Sequence, residues 1–349
     1  MCLKQHQPPL NLDEQIENLK SLGLIIENED KAREFLNDVS YFRLIKAYSL
    51  GLKEKNSKYS NDITFDRIVE LYLFNSRFRQ IIFTQIEKVE ISLRCRISNY
   101  FSEKYGVFGY EDVSNFKNKQ YHSNLMDEIN SVIIINSRND FVRNYQQNYV
   151  SGKIPLYALV ELLSFGTLSK FYKNMNNADK KEIAKSYSVG YKYLESWIEH
   201  LSFVRNVCAH YGRLYNINLR KTPLLSKKYS NKNISNIRVF ATLLCLKELL
   251  YTSTGWRQFV DETELLLSKY TNVKKELRVF PIIGKNFFYN SFTGLIKGLF
   301  LFLQKTKKHR QKNSIYVSYF NYNLNSFSIS PKESSSKDFH RKTPSSSVM

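Results

Sequence analysis

The stretch SFVRNVCAHYGRLYN, Ser202–Asn216, crowds Arg, Asn, Cys, His and Tyr into fifteen residues. Arg205 and His210 are the pair whose chemistry stands out. A neutral imidazole, with an ordinary pKa of about 6.5, can take the proton of a ribose 2′-hydroxyl or hand one to a leaving 5′-oxygen, a contribution of typically about 10²–10⁴-fold. A guanidinium can hold a phosphate and offset the charge of a pentacoordinate transition state. Asn206 can orient either group by a hydrogen bond. Arg and His suffice in principle for RNA cleavage with no metal and no other cofactor. The structural alternative is that Arg205 pairs with Glu195 or Glu199 while His210 closes a helix C-terminus, where the dipole favours a cation. On spacing alone the hexad is short and arises often by chance.

Five residues at about 100° each separate Arg205 from His210 by about 140° around a straight helix, so the two do not lie side by side. Either the helix loosens near Cys208, or the pair converges on a cleft formed with another element, such as a second copy of the same helix. Just past the motif, Arg213, Tyr215 and Arg220 are expected RNA-backbone contacts from their charge and position. His200, about 80° from His210, is read as a surface histidine, and Cys208 as a small buried spacer. Glu87, Glu90, Arg94 and Arg96 form a polar stripe best read as a solvated or salt-bridged face. Tyr41, Phe42, Tyr48, Tyr72 and Phe74 can stack on bases, but their spacing favours packing.

Helices must position these groups. Asn11 or Asp13 can cap a helix ending near Leu22, with Ile16, Leu19 and Leu22 on one face and Gly23 as the stop, and Asp30 can cap the next. From Thr64 the apolar residues Ile68, Leu71, Leu73, Phe78, Ile82, Ile86, Val89, Leu93 and Ile97 recur at three and four, the longest helical signal in the chain, closed by Gly106. One helix is expected in NLMDEINSVIIINSRNDFVRNYQQN, another after Pro155 with an interruption at Gly166, and another over about Tyr191–Cys208. Two more follow, NISNIRVFATLLCLKELLYTSTG ended by Gly255, and WRQFVDETELLLSKY. Strand-like alternation is nearly absent before Pro281, so the class is all-α.

The chain has 349 residues, 42% hydrophobic and 24% charged, as in a folded globular protein. That length suggests a principal domain, 1–280, plus a basic, aromatic-rich appendage, 281–349, with disorder expected over 334–349. The net charge of +20 favours a polyanionic partner. Residues 279–349 hold eleven Lys/Arg against two acids, which leaves +11 on the larger body. Four cysteines without paired spacing suggest neither a zinc site nor a disulfide framework, and with no apolar leader at the N-terminus a cytoplasmic location is expected. The apolar run at 287–303 has 17 residues and carries Lys297, short of the roughly 20 a membrane helix needs, so a membrane partner is not expected.

With its surroundings, the segment LESWIEHLSFVRNVCAHYGRLYN resembles the Abi-like abortive-infection family, whose members are similar to HEPN-domain ribonucleases. The signature there is Arg-polar-x-x-x-His, present here as Arg205-Asn206-Val207-Cys208-Ala209-His210. PLYALVELLSFGTLSKFYKNM, QIENLKSLGLIIENEDKAREFLNDVSYFRLIKAY and ITFDRIVELYLFNSRFRQIIFTQIEKVEISLRCRISNYFSEKYG extend the likeness over roughly residues 8–280, in the family's order. The resemblance implies an all-α, HEPN-like helical bundle with additional N-terminal helices, and an RNase of phage defence acting on an RNA substrate. A regulatory small RNA or antitoxin is a further implied partner. Beyond Val279 the basic tail departs from the family. One motif per chain implies a homodimer with a composite site, in which Arg205 binds the phosphate, His210 acts as acid or base and Asn206 orients them. The alternative is an RNA-binding regulator that keeps the fold without catalysis.

Overall fold

A helix of 41 residues, Phe65–Tyr105, runs through the middle of the protein, about 60 Å long at 1.5 Å per residue. The computed structural model describes residues 8–232, 234–250 and 254–270. By contacts the chain divides into two units, Met1–Lys285 and Asn286–Met349, and every described residue belongs to the first. The expectations for the apolar run, the basic tail and its disorder lie outside the described residues.

In chain order the α-helices are α1 (Leu12–Ser21), α2 (Glu29–Asp38), α3 (Phe65–Tyr105), α4 (Lys119–Ile135), α5 (Asp140–Asn148) and α6 (Leu156–Leu162). They continue as α7 (Phe165–Asn174), α8 (Asn177–Lys185), α9 (Tyr191–Ala209), α10 (Val239–Leu250) and α11 (Thr254–Lys269). Among the described residues there is no strand, only isolated bridges such as Ile25 with Thr64. The fold is all-α. No helix of the described residues is long and apolar enough to cross a membrane.

α3 forms as its periodicity predicts. Thr64 caps it by accepting the Arg67 N–H, and Gly106 ends it at a φ of 79° that glycine adopts without strain. Ile68, Leu71, Phe78, Ile82, Ile86, Val89, Leu93 and Ile97 are buried as expected; Leu73 is exposed, and the neighbouring Phe74 takes the core position. α6, α7, α8, α9, α10 and α11 all pack against this helix. Burial of so many apolar side chains along one element makes α3 the axis of the core.

Several boundaries differ from the sequence reading for local reasons. Asn11 caps α1 through a full capping box with Glu14, and Asn28, not Asp30, caps α2 by accepting the Lys31 N–H. The single helix expected in the 124–148 stretch is two, α4 and α5. Asn136 ends the first, its amide returning to the Val132 carbonyl, and Asn139 caps the second. The break near Gly166 falls instead at Leu163–Ser164, where Ser164 accepts the Thr167 N–H and starts α7. Gly255 does not end α10; it lies in the first turn of α11. α8 had no separate sequence signal. Its Asp179 is fully buried, and although burial raises a carboxyl pKa, Lys104, Tyr105 and Tyr100 on α3 outweigh that and hold it below the ordinary value.

His200 corrects another expectation. It is buried, not on the surface, because its position on α9 faces α10 and the segment after the motif. Nδ1 lies 2.7 Å from the Lys221 carbonyl and Nε2 lies 2.8 Å from the Thr242 hydroxyl. A carbonyl only accepts, so Nδ1 carries the proton and Nε2 accepts from Thr242 in the neutral ring. Burial outweighs the Lys221 hydrogen bond and pushes the pKa from 6.5 down to about 4. The unfolded chain therefore takes up this proton first, and stability is full above pH 6.5 and falls as pH drops toward 4, by on the order of 3 kcal/mol. Thermal melts across that window should show the loss, and His200→Gln should flatten it. An equally steep loss in His200→Gln contradicts the assignment.

Candidate functional site

The helix that carries the motif is unbroken through it. Leu194, Trp197, Ile198, Leu201, Val204 and Cys208 recur at three and four and are buried, which fixes the rotation of α9 against α3, α7, α8 and α10. His210 caps the C-terminus, and its N–H still donates to the Asn206 carbonyl at 3.0 Å, four residues back. Tyr211 then turns into the left-handed region at a φ of 57°, and the Gly212 N–H returns to the Val207 carbonyl at 2.7 Å. That closure needs glycine, because a Cβ at position 212 would stand 2.8 Å from Val207 Cγ1 and 2.9 Å from its carbonyl oxygen. The helix does not loosen near Cys208, so the offset of about 140° between Arg205 and His210 persists within one chain.

Arg205 is paired, but with neither acid expected from α9. Glu195 takes Lys180 at 2.7 Å, and Glu199 takes Lys221 at 2.8 Å and Lys173 at 3.4 Å. Arg205 meets α3 instead. Its Nε lies 3.9 Å from Glu90 Oε2, and its guanidinium carbon lies 5.6 Å from the centre of the Phe83 ring. Glu90 is also the partner of Arg94, whose guanidinium bonds the Val160 carbonyl on α6. Of the polar stripe on α3, Glu90 and Arg94 are thus salt-bridged and Glu87 and Arg96 are exposed, and Glu90 also meets the motif arginine. Arg205 Nε is buried without a hydrogen-bond partner among the described residues, while 38% of the side chain remains exposed. Its Nη1 donates to Asn206 Oδ1 at 3.4 Å. The guanidinium is anchored on one side and open on the other, which suits a group that binds an anion.

The segment after His210 is held by polar side chains that sit at core positions of α3. Asn75 Oδ1 accepts the backbone N–H groups of Leu214 at 2.9 Å and Tyr215 at 3.0 Å, and its Nδ2 donates to the Tyr48 hydroxyl at 2.8 Å. Arg79 donates to the Gly212 carbonyl at 3.3 Å, and Arg43 to the Tyr211 carbonyl at 3.4 Å. Arg213 reaches back to the Ala47 carbonyl, and to that of Asn216 at 3.5 Å. The sequence signal for Asn75 and Arg79 was available: four apart, they occupy α3 positions whose neighbours Leu71, Phe78 and Ile82 are all core. A polar residue at such a position needs a partner, and the motif loop supplies it.

The sequence-predicted residues therefore separate into two groups. Arg205, Asn206 and His210 all keep solvent access, and the His210 imidazole has no hydrogen-bond partner among the described residues. Arg220 is exposed. Arg213 is half-buried, with burial depressing its pKa, and its guanidinium serves the loop carbonyls. Tyr215 is 3% exposed and packs edge-on against Phe74, so its ring has no surface to offer RNA. Cys208 is buried and its thiol is pushed up to about 12 by burial, as suits a spacer. Of the aromatics, Tyr48 and Phe74 are core and Tyr72 packs on Phe35 and Tyr48, whereas Phe42 is exposed.

A family model described as Abi-like protein matches residues 34–216, more than half of the chain, ending just past the motif loop. No curated protein and no solved structure matches the chain.

Asn75→Ala should destabilise the protein by about 3 kcal/mol or more in urea unfolding, because two N–H groups and a hydroxyl lose their buried partner at about 1–3 kcal/mol each. A loss below about 1 kcal/mol would show that the loop is held by something else.

Proposed function

This chain belongs to the Abi-like protein family, and on that premise we propose that it is a phage-defence protein of abortive infection that acts as a metal-independent endoribonuclease of the HEPN type. The observation that carries the reading is the geometry of α9. Arg205 and His210 both remain accessible, yet an intact helix holds them about 140° apart. A site that needs both groups at one phosphate is then built most simply from two copies, the arginine of one protomer facing the histidine of its partner across a twofold axis.

In that site the Arg205 guanidinium holds the scissile phosphate. Glu90 and Phe83 keep its stem in place without satisfying all its donors. The His210 imidazole takes the proton of the ribose 2′-hydroxyl, the 2′-oxygen attacks phosphorus, the bond to the 5′-oxygen breaks, and the imidazolium returns its proton to that leaving oxygen. Asn206, whose side-chain oxygen meets Arg205, orients the guanidinium. The net charge of +20 draws the polyanion to the protein, and exposed Arg220 can contact its backbone. A small RNA or protein antitoxin that covers the same surface would hold the enzyme silent.

RNA incubated with wild type should yield fragments ending in a 2′,3′-cyclic phosphate or its hydrolysed form, with cleavage persisting in EDTA. Arg205→Ala and His210→Ala should each lower the rate at least about 10²-fold. Retained RNA binding with no cleavage by wild type would leave only the non-catalytic RNA-binding regulator, and abolition by chelator would remove the metal-free mechanism.

A further inference from the structure

Tyr211 is placed oddly for a structural residue. It follows His210 directly, at a φ of 57° that costs a non-glycine residue backbone energy, and its ring is 66% exposed. A glycine or asparagine would make the same turn with less strain, so the ring recovers little from packing. Its one neighbour of note is Arg43, which donates to the Tyr211 carbonyl and whose guanidinium carbon lies 5.7 Å from the ring centre.

Arg43 belongs to a single π-helical turn, Phe42–Lys46, anchored by buried Leu44 and Ile45. Such turns often mark functional positions. Phe42, next to Arg43, is 77% exposed. Among the described residues neither Arg43 nor Lys46 has an ion-pair partner. Burial, and after it the charge of neighbouring Lys46, lowers the pKa of Lys53, so a third cation lies within electrostatic reach of Lys46. Exposed aromatic rings interleaved with unpaired cations are the combination that takes single-stranded nucleic acid, the rings stacking on bases and the cations meeting phosphates.

We propose that Tyr211 and Phe42, with Arg43 and Lys46, form a stacking platform for an unpaired base of single-stranded RNA beside His210. The inference rests on the RNA reading above and deepens it: the substrate is single-stranded where it meets the site, and a duplex, with its bases already stacked, gains only the phosphate contacts.

The test uses the full-length His210→Ala chain, which leaves RNA uncut, and fluorescence anisotropy with a labelled short oligoadenylate, single-stranded or annealed to its complement. Tyr211→Gly, which relaxes the turn while removing the ring, and Phe42→Ala should each weaken single-strand binding about tenfold. Tyr211→Phe should keep it, and duplex binding should stay within about twofold for all three. Unchanged single-strand affinity in both ring-removing variants overturns the platform alone. Conversion of a dimer to a monomer in sedimentation by those variants overturns it in favour of a subunit contact. If the His210→Ala parent binds neither RNA, the RNA reading and the platform fall together.

Discussion

The buried side chain of Asn75 is the constraint on which the placement of the motif depends. It sits on a core face of α3, where an unpaired amide would be costly, and the backbone just after His210 provides what its oxygen needs. The two N–H groups of Leu214 and Tyr215 have no helical partners of their own once α9 has ended. One side chain therefore satisfies the loop while the loop satisfies it. Arg79, one turn along the same helix, does the same for the Gly212 carbonyl. With the apolar face of α9 fixing rotation and these bonds fixing the loop, Arg205 and His210 cannot drift toward each other within a chain.

The long helix serves both ends of the motif. Near its start Asn75 and Arg79 hold the loop; farther along, Phe83 and Glu90 hold Arg205. Glu90 is shared with Arg94, so the motif arginine is restrained without being neutralised by a carboxylate of its own. That balance suits a guanidinium kept available for phosphate. His210, by contrast, stands exposed at the helix end, with its imidazole open to solvent.

Much of this was legible from spacing. α3 and α9 carry apolar residues at three and four over many turns, and tertiary packing agrees with what that pattern demands. Short elements were harder to read, because Asn, Ser and Asp bond to nearby backbone and choose among several adjacent starts and stops, as at Asn28, Asn136, Asn139 and Ser164. For His200 polarity suggested surface, but the Lys221 carbonyl and the Thr242 hydroxyl satisfy its ring inside, and Tyr215, expected at the RNA, instead buries its ring against Phe74. The acid that meets Arg205 was missed as a partner for the opposite reason. Glu195 and Glu199 are near in sequence but engaged by lysines, whereas Glu90 is distant in sequence and adjacent in the fold.

A site completed by two chains is the central claim, and the most direct measurement of it is subunit complementation. A heterodimer of one R205A chain and one H210A chain, isolated by two different tags, retains a single Arg205 and a single His210 on different protomers. Cleavage well above that of either mutant homodimer is the predicted result. A heterodimer as inactive as both parents, beside a wild type that cleaves, would contradict a site shared between chains.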